Sequence, residues 1–412
     1  MDLSLKKPRN TPWRRFRRYA LMTVGLFALL FGIGSLPVVF LYFAGKLREA
    51  PRDERVGRDP ASEMARQATS QQVTPGSGAK VISKSESRRN RYPGKTWEKV
   101  ETPEELGWSS EKLQQARQLA DSYDAAAVMI VEDGLIVAEW GETARKFNVH
   151  SIRKSFLSAL YGLAVNEAKI NLNSTLAELG IDDNEPALTA EEKKARVIDL
   201  LKARSGIYHP ALAESEWMRA TKSKRGSHPP GSFWLYNNWD FNALGTIFEN
   251  AMKSTIAEEF NQRIAAPLQM EDFKVEDVDY MRGPDSVHPA YHFRMTARDM
   301  ARFGLLFLRE GEWRGKQVIP KEWVSESTRV SSLTEDGAGY GYMWWITIKG
   351  KKLFPDVQLK AGAFSARGAG GHVILIIPDR KLVIVHRVNT DIPREKGVKF
   401  NALLRLILKA KR

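Results

Sequence analysis

The sequence predicts an α+β fold: an antiparallel sheet formed by both ends of one large domain, flanked by helices and interrupted by a mostly helical insertion. Three observations point there. Apolar runs at 127–131 and 135–140 flank Glu132-Asp133-Gly134, and Asp-Gly between apolar runs signals a hairpin. A second pair, 373–377 and 382–386, flanks Pro378-Asp379-Arg380-Lys381. Between the two pairs, most periodic segments repeat every three to four residues, as helices do. Strands at both ends of a helical middle are most simply joined in one sheet.

Composition narrows the function. Of 412 residues, 43% are apolar and 10% aromatic, enough to bury a large core. The formal charge of +14 is uneven: residues 1–97 carry 19 Lys and Arg against 7 Asp and Glu, whereas 98–412 carry 44 against 42. The basic character belongs to the N-terminal region, so the globular part lacks the charge excess of a nucleic-acid binder. The absence of cysteine excludes disulfides, thiolate nucleophiles and cysteine-ligated metals.

Residues 1–18 form a basic tail with seven Lys or Arg. From Tyr19 to Gly45 no residue is charged, and about 20 apolar residues suffice to span a bilayer as a helix. Tyr19 and Tyr42 stand at either end, where interface aromatics belong. The run is longer than a signal-peptide core, and no convincing small-x-small cleavage site precedes Lys46. It therefore reads as an uncleaved single-pass signal anchor over 19–45, with a cleaved signal as the alternative. Seven Lys or Arg before it and five after it, to Arg58, place the N-terminus in the cytoplasm and the large domain outside. In a bacterial inner membrane that is the periplasmic face. Residues 46–97, polar and punctuated by Pro51, Pro60 and Pro75-Gly76-Ser77-Gly78, read as a flexible linker. The basic run Arg88-Arg89-Asn90-Arg91 suits either anionic headgroups or plain solvation.

The globular domain occupies 98–412. Ser109 or Ser110 caps an amphipathic helix over 110–122. Further helices are expected over 191–203, ended by Arg204-Ser205-Gly206, and from Asn242 to about Asn250. Another ends at Ala266-Pro267. One over 296–310 has Thr296 and Asp299 at its start. Tyr340–Trp345 reads as a strand and 398–409 as a terminal helix.

The chemistry concentrates in Val149-His150-Ser151-Ile152-Arg153-Lys154, which opens an apolar run to Leu160. Positions i and i+3 share a helix face, about 5–6 Å apart at Cβ, so the Lys154 amine can reach the Ser151 hydroxyl. A serine hydroxyl is a poor nucleophile until a base takes its proton. A serine at a helix start also sits where backbone N–H groups and the helix dipole stabilise an oxyanion. Taken alone, the spacing equally describes an N-cap serine and a solvated lysine. Two further pieces follow in order: Tyr236-Asn237-Asn238, and a glycine-rich turn, Arg367-Gly368-Ala369-Gly370-Gly371, feeding a strand.

In this order and spacing the pieces resemble the serine hydrolases of the β-lactamase and penicillin-binding-protein superfamily. The likeness is strongest to its class C-like branch, which also holds esterases, D-amino-acid peptidases and the 6-aminohexanoate-dimer hydrolases. Secondary stretches agree over about residues 100–412. Leu200-Leu201-Lys202-Ala203-Arg204-Ser205-Gly206 resembles the family's LLxHxSG turn, and Pro267-Leu268-Gln269-Met270 its PLGM. Residues 296–304 resemble TARDLARFG, and Tyr340–Trp345 resembles YGYGWW.

The resemblance implies a β-lactamase/transpeptidase-like fold and an acyl-enzyme on Ser151. Lys154 and Tyr236 would share the acid and base work as a coupled unit. Asn238 would bind a substrate amide or carbonyl. One oxyanion donor would be the Ser151 N–H, and the other a backbone N–H among Gly368, Ala369 and Gly370. No metal or cofactor is implied. The third motif departs from its relatives, which carry Lys-Thr-Gly or His-x-Gly where this chain has Ala366-Arg367-Gly368. Arg367 and His372 are the candidates to replace the missing carboxylate grip, and the departure counts against a true β-lactamase or transpeptidase.

Other residues carry lesser expectations. His150 reads as structural. His288 and His292 are interrupted by Pro289, which argues against a helical zinc pair. Trp234, Trp239, Trp344 and Trp345 either line an apolar pocket or pack in the core. Asp240 is a candidate to orient a leaving amine. The expected protein is a membrane-anchored serine hydrolase acting on a small amide or ester outside the cytoplasm. Its rivals are a catalytically idle envelope binding or scaffold protein on the same fold, and an acyl transferase using the same acyl-enzyme.

Overall fold

The computed structural model describes residues 80–82, 91–351 and 353–412; the basic tail and the expected membrane helix lie outside the described residues. Among the described residues no helix is long and apolar enough to cross a membrane. The chain begins with strands β1 (Lys80–Ile82) and β2 (Glu98–Val100), the first of them inside the stretch expected to be a linker. Helix α1 (Ser110–Ser122) follows, capped by Ser109, whose hydroxyl accepts from the Lys112 N–H at 3.3 Å. The hairpin of β3 (Ala125–Glu132) and β4 (Leu135–Gly141) turns through Asp133 and Gly134 at φ 50° and 88°, the left-handed pair that a tight hairpin turn requires.

Strand β5 (Phe147–Asn148) leads into α2 (Ile152–Asn166). The inserted helical region holds α3 (Val197–Leu201), α4 (Glu216–Thr221), α5 (Asn238–Met252) and α6 (Ile256–Phe260). A second hairpin, β6 (Val278–Gly283) and β7 (Ser286–Met295), precedes α7 (Ala297–Leu308). Short elements follow: β8 (Glu312–Trp313), β9 (Lys316–Gln317), α8 (Lys321–Ser327), β10 (Ser332–Leu333), β11 (Gly339–Tyr340) and β12 (Trp345–Ile346). The chain closes with β13 (Phe364–Gly368), β14 (His372–Ile377), β15 (Leu382–Val388) and α9 (Phe400–Ala410).

Ten strands form one sheet in the order β1-β2-β4-β3-β15-β14-β13-β12-β11-β10. β15 lies antiparallel to β3, with Val383 opposite Val131, so both ends of the domain meet in the sheet as the sequence predicts. The expectation of a wholly antiparallel sheet is corrected: β1 runs parallel to β2, and β2 parallel to β4, which makes the sheet mixed. A parallel neighbour needs a crossover connection, and α1 with β3 supplies it between β2 and β4. Strands of three residues are too short to show a period in the sequence.

Helices α1 and α9 pack together over one face of the sheet, against Val128, Ile130, Leu375 and Ile384. Helix α7 covers the other face. It approaches closely at Gly304, where a Cβ would stand 2.6 Å from Val383 Cγ1 and 3.0 Å from Ile374 Cγ2. Every residue from Ile152 to Ala164 of α2 is buried. A helix covered on all sides is an interior element, which is why its apolar pattern has no polar stripe.

Three expected elements differ, each for a local reason. The helix expected over 191–203 shrinks to α3, because Arg196 is extended and its N–H donates to the Asp199 carboxylate at 3.0 Å, starting a new helix there. Helix α5 begins at Asn238 rather than Asn242, because the Asn237 side chain caps it by accepting from the Trp239 N–H. The Tyr340–Trp345 run is broken into β11 and β12 by Met343 at φ 64°, whose carbonyl accepts from Ser155 Oγ on α2 at 2.8 Å.

The join between sheet and α2 depends on Arg387 of β15, which is fully buried. Its guanidinium donates to the carbonyls of Phe147 at 2.8 Å and Met295 at 2.7 Å, and its Nε to His372 Nδ1 at 3.0 Å. It thereby pins β5, the strand that delivers the chain to α2. Arg387→Met should lower stability in urea unfolding by about 2–4 kcal/mol, since each buried polar group left unpaired costs about 1–3 kcal/mol. A loss within experimental error would mean these carbonyls do not depend on Arg387.

Candidate active site

The chain enters α2 through a strained bend. His150 has φ 49°, an uncommon conformation for a residue with a side chain. Two contacts hold it: its N–H donates to Asn148 Oδ1 at 2.8 Å, and its Nε2 pairs with Thr390 Oγ1 at 2.8 Å. His150 also lines the cavity that holds Ser151. Ser151 comes next, at the N-terminus of a helix of 15 residues, but its side chain caps no backbone group. Its Oγ lies instead 2.9 Å from Lys154 Nζ.

Lys154 is only 2% exposed. Its amine reaches three oxygens: Ser151 Oγ, Tyr236 OH at 2.6 Å and Asn238 Oδ1 at 2.8 Å. Among the described residues no carboxylate forms a salt bridge with it. Burial, reinforced by the charge of adjacent Arg153, drives the amine well below the ordinary lysine pKa. Burial pushes the Tyr236 phenol the other way, up to about 12, with the Ser151 hydrogen bond and Arg153 pulling against it. Both shifts favour neutral groups.

Asn238 fixes how that amine is used. Its Nδ2 donates to the Ala213 carbonyl at 2.6 Å, so its Oδ1 must face Lys154 and accept an N–H. A neutral amine has two N–H groups and one lone pair. With one N–H committed to Asn238, a second N–H and the lone pair are left for the hydroxyls of Ser151 and Tyr236.

The opposite wall comes from β13. A Cβ on Gly368 would stand 2.3 Å from the Val149 carbonyl, so only glycine lets the strand lie against the chain entering α2. Gly368 and Ala369 share with Ser151, Tyr236 and Asn238 a cavity of about 580 Å³, the size of a small-molecule site. Gly370 stands in the β13–β14 turn at φ 80°, where a Cβ would meet Thr390, and is not among the residues lining the cavity.

The remaining candidates separate. Trp234 and Trp345 line the cavity, while Trp239 and Trp344 are fully buried in the core. Arg367 lines the cavity, donating to Ser365 Oγ at 3.1 Å and to the Leu353 carbonyl at 2.6 Å while lying 4.2 Å over the Phe354 ring. His372 does not line it; it is buried behind the strand with its Nδ1 occupied by Arg387. Asp240 does not line it either. Its carboxylate accepts from Ser205 Oγ at 2.5 Å and Asn237 Nδ2 at 3.2 Å, which anchors the turn after α3. His288 and His292 lie on β7, and among the described residues no group of three or more His, Asp or Glu is placed to hold a metal.

Sequence reasoning missed part of the cavity. Arg153 and His292 line it, as do Ala213, Glu214, Ser215, Trp217, Met218 and Thr334–Asp336. Arg153 stood within the motif, but nothing in a helix buried on every side marks which polar side chain faces a cavity.

Comparison with known proteins agrees with this geometry. A 300-residue stretch is 21% identical to an uncharacterized protein of Alkalihalophilus pseudofirmus, covering 64% of this chain and 84% of that one. A Bacillus anthracis structure provisionally described as a 6-aminohexanoate-dimer hydrolase matches with a TM-score of 0.52 at 21% identity, over 71% of this chain and 80% of its own. A β-lactamase/D-alanine carboxypeptidase from Pseudomonas syringae matches with a TM-score of 0.53 at 17% identity, over 72% and 97%. Identities this low speak to the fold. The beta-lactamase family profile, however, matches residues 114–409, a span that takes in α2, the Tyr236–Asn238 stretch and the β13 wall, so the chain belongs to the beta-lactamase family, a fold of serine hydrolases that act on small amides or esters through an acyl-enzyme.

Proposed function

We propose that this protein is a membrane-anchored serine hydrolase that cleaves a small amide or ester bond through an acyl-enzyme on Ser151. The observation that carries the reading is Lys154: a buried amine, hydrogen-bonded to both Ser151 and Tyr236, with no carboxylate among the described residues in a salt bridge with it. In this reading Lys154 accepts the Ser151 proton as Oγ attacks the substrate carbonyl. The oxyanion is received by the Ser151 N–H at the start of α2 and by a backbone N–H of the Gly368–Ala369 segment. Tyr236 relays the proton from Lys154 to the departing nitrogen or oxygen, which leaves as amine or alcohol. Water then gives up a proton along the same route, attacks the ester on Ser151 and restores the hydroxyl.

Two details refine the roles. The opposed shifts of Lys154 and Tyr236 support Lys154 as the resting base, because a phenol raised to about 12 holds its proton. Asn238, engaged at both ends of its amide and 3% exposed, is assigned to orient that base rather than to grip substrate. An idle scaffold has no use for a desolvated lysine, which destabilises the fold. The uncharged run 19–45 behind a basic tail supports a tether with the domain outside the cytoplasm.

Fluorophosphonate labelling tests the nucleophile. Labelling should vanish in Ser151→Ala and slow by about 10²–10⁴-fold in Lys154→Ala, the range for loss of a positioned base. Equal labelling of folded Ser151→Ala would exclude this reading.

The state of Lys154 has a separate thermodynamic signature. Its folded pKa lies below its unfolded value of 10.5, so between the two the unfolded chain binds a proton that the folded chain lacks. Wild-type stability should therefore rise with pH across that window, by up to about 1.4 kcal/mol per pH unit. Urea unfolding of wild type against Lys154→Met, taken as a difference at each pH, isolates this slope. A flat difference would show a protonated Lys154 in the folded state.

Orientation is checked with a reporter active only in the cytoplasm, fused after Arg412. It should stay silent, and a signal would reverse the assignment.

A further inference from the structure

Arg153 lies one residue before Lys154 on α2 and is 2% exposed. Its guanidinium is well oriented, stacking 4.7 Å over the Tyr291 ring while Nη2 donates to Asn242 Oδ1 at 3.2 Å. Among the described residues no carboxylate forms a salt bridge with it, and its Nη1 is buried without a hydrogen-bond partner. Arg153 is nonetheless among the residues that line the cavity holding Ser151. On the neighbouring strand β7, His292 also lines that cavity, and its Nδ1 is likewise buried without a partner. Burial and the charge of Arg153 pull His292 down to about 4, so it stands as a neutral imidazole.

A buried cation with no counter-ion is costly, and the remedy open to a cavity is a bound anion. The acids on the cavity wall do not fill that role. Glu214 is paired with Lys222, and Asp336 accepts from Thr334 Oγ1. Glu335 forms no salt bridge with Arg153. A guanidinium held by stacking and by one nitrogen leaves the other free to meet an oxygen, and a planar carboxylate is its natural complement.

We propose that Arg153, with His292 beside it, is the binding site for a carboxylate carried by the substrate, so that the amides or esters cleaved here are acidic molecules. This deepens the reading of Ser151 as nucleophile and rests on it. Arg153 would act in recognition, before any bond is broken. The three tryptophans on the wall, Trp217, Trp234 and Trp345, favour an apolar body attached to that carboxylate.

Calorimetric titration of the intact protein with 4-phenylbutyrate and with 4-phenylbutanamide, equal in shape but not in charge, tests the site. The acid should bind at least about tenfold more tightly, a difference of about 1.4 kcal/mol. Arg153→Met should erase that preference and Arg153→Lys keep part of it, while Arg367→Met leaves it intact. Equal binding of acid and amide by the wild type overturns the proposal. So does a preference that disappears with Arg367→Met instead, which would place the carboxylate on β13. If Arg153→Met does not fold, the wild-type preference together with the Arg153→Lys and Arg367→Met variants decides the matter. The titration needs no turnover. A preference for the acid without Ser151-dependent labelling would leave the carboxylate site standing and remove the hydrolase reading, and the reverse outcome would do the opposite.

Discussion

A lysine amine held out of water, with no carboxylate paired to it among the described residues, is the constraint around which the site is arranged. Removing Lys154 from solvent disfavours its charged form, and adjacent Arg153 adds to the effect. An amine in that state must still find partners for two N–H groups and a lone pair. Ser151, Tyr236 and Asn238 supply them from two different helices and the loop before α5. The full burial of α2 from Ile152 to Ala164 is what keeps water away from the amine, so the core itself tunes the site.

The sheet acts at a distance by placing the chain that enters α2. Arg387 ties β5 and the end of β7 to β15, and Gly368 lets β13 lie against Val149 without a side chain between them. Ser151 therefore stands between a helix start and a strand end, both held by backbone-directed contacts. Asp240, with the chemistry of a catalytic acid, is used for architecture: it holds the Ser205 turn beneath Tyr236-Asn237-Asn238.

Much of this was legible before any coordinates, for identifiable reasons. Ser151 and Lys154 are local to one helix, so their spacing allowed contact, and the later motifs were needed to choose it over a cap and a solvated lysine. Tyr236 and Asn238 lie more than 80 residues away, and only resemblance to a family joined them to that helix. The hairpin at Asp133-Gly134 and the helix over 110–122 were readable because turn and cap chemistry are local. The parallel edge was not, because β1 and β2 are three residues each and their partners are set by a crossover. Gly370 and Gly368 were not separable because a glycine set in a turn and one required by close approach look alike in sequence. Arg153 was overlooked because a helix buried on every face offers no pattern that separates a cavity-facing side chain from a core one.

Asn238 joins two places that otherwise have little in common. One end of its amide meets the Lys154 amine, and the other is fastened to the carbonyl of Ala213. Two residues beyond Ala213 the chain reaches Ser215, the cap of α4, a short helix that carries Trp217 with 63% of its surface in solvent. The wall that carries Trp217 and the buried Lys154 amine are thus joined through a single amide, so the segment around Ala213 cannot shift without Asn238 following it or giving up a hydrogen bond.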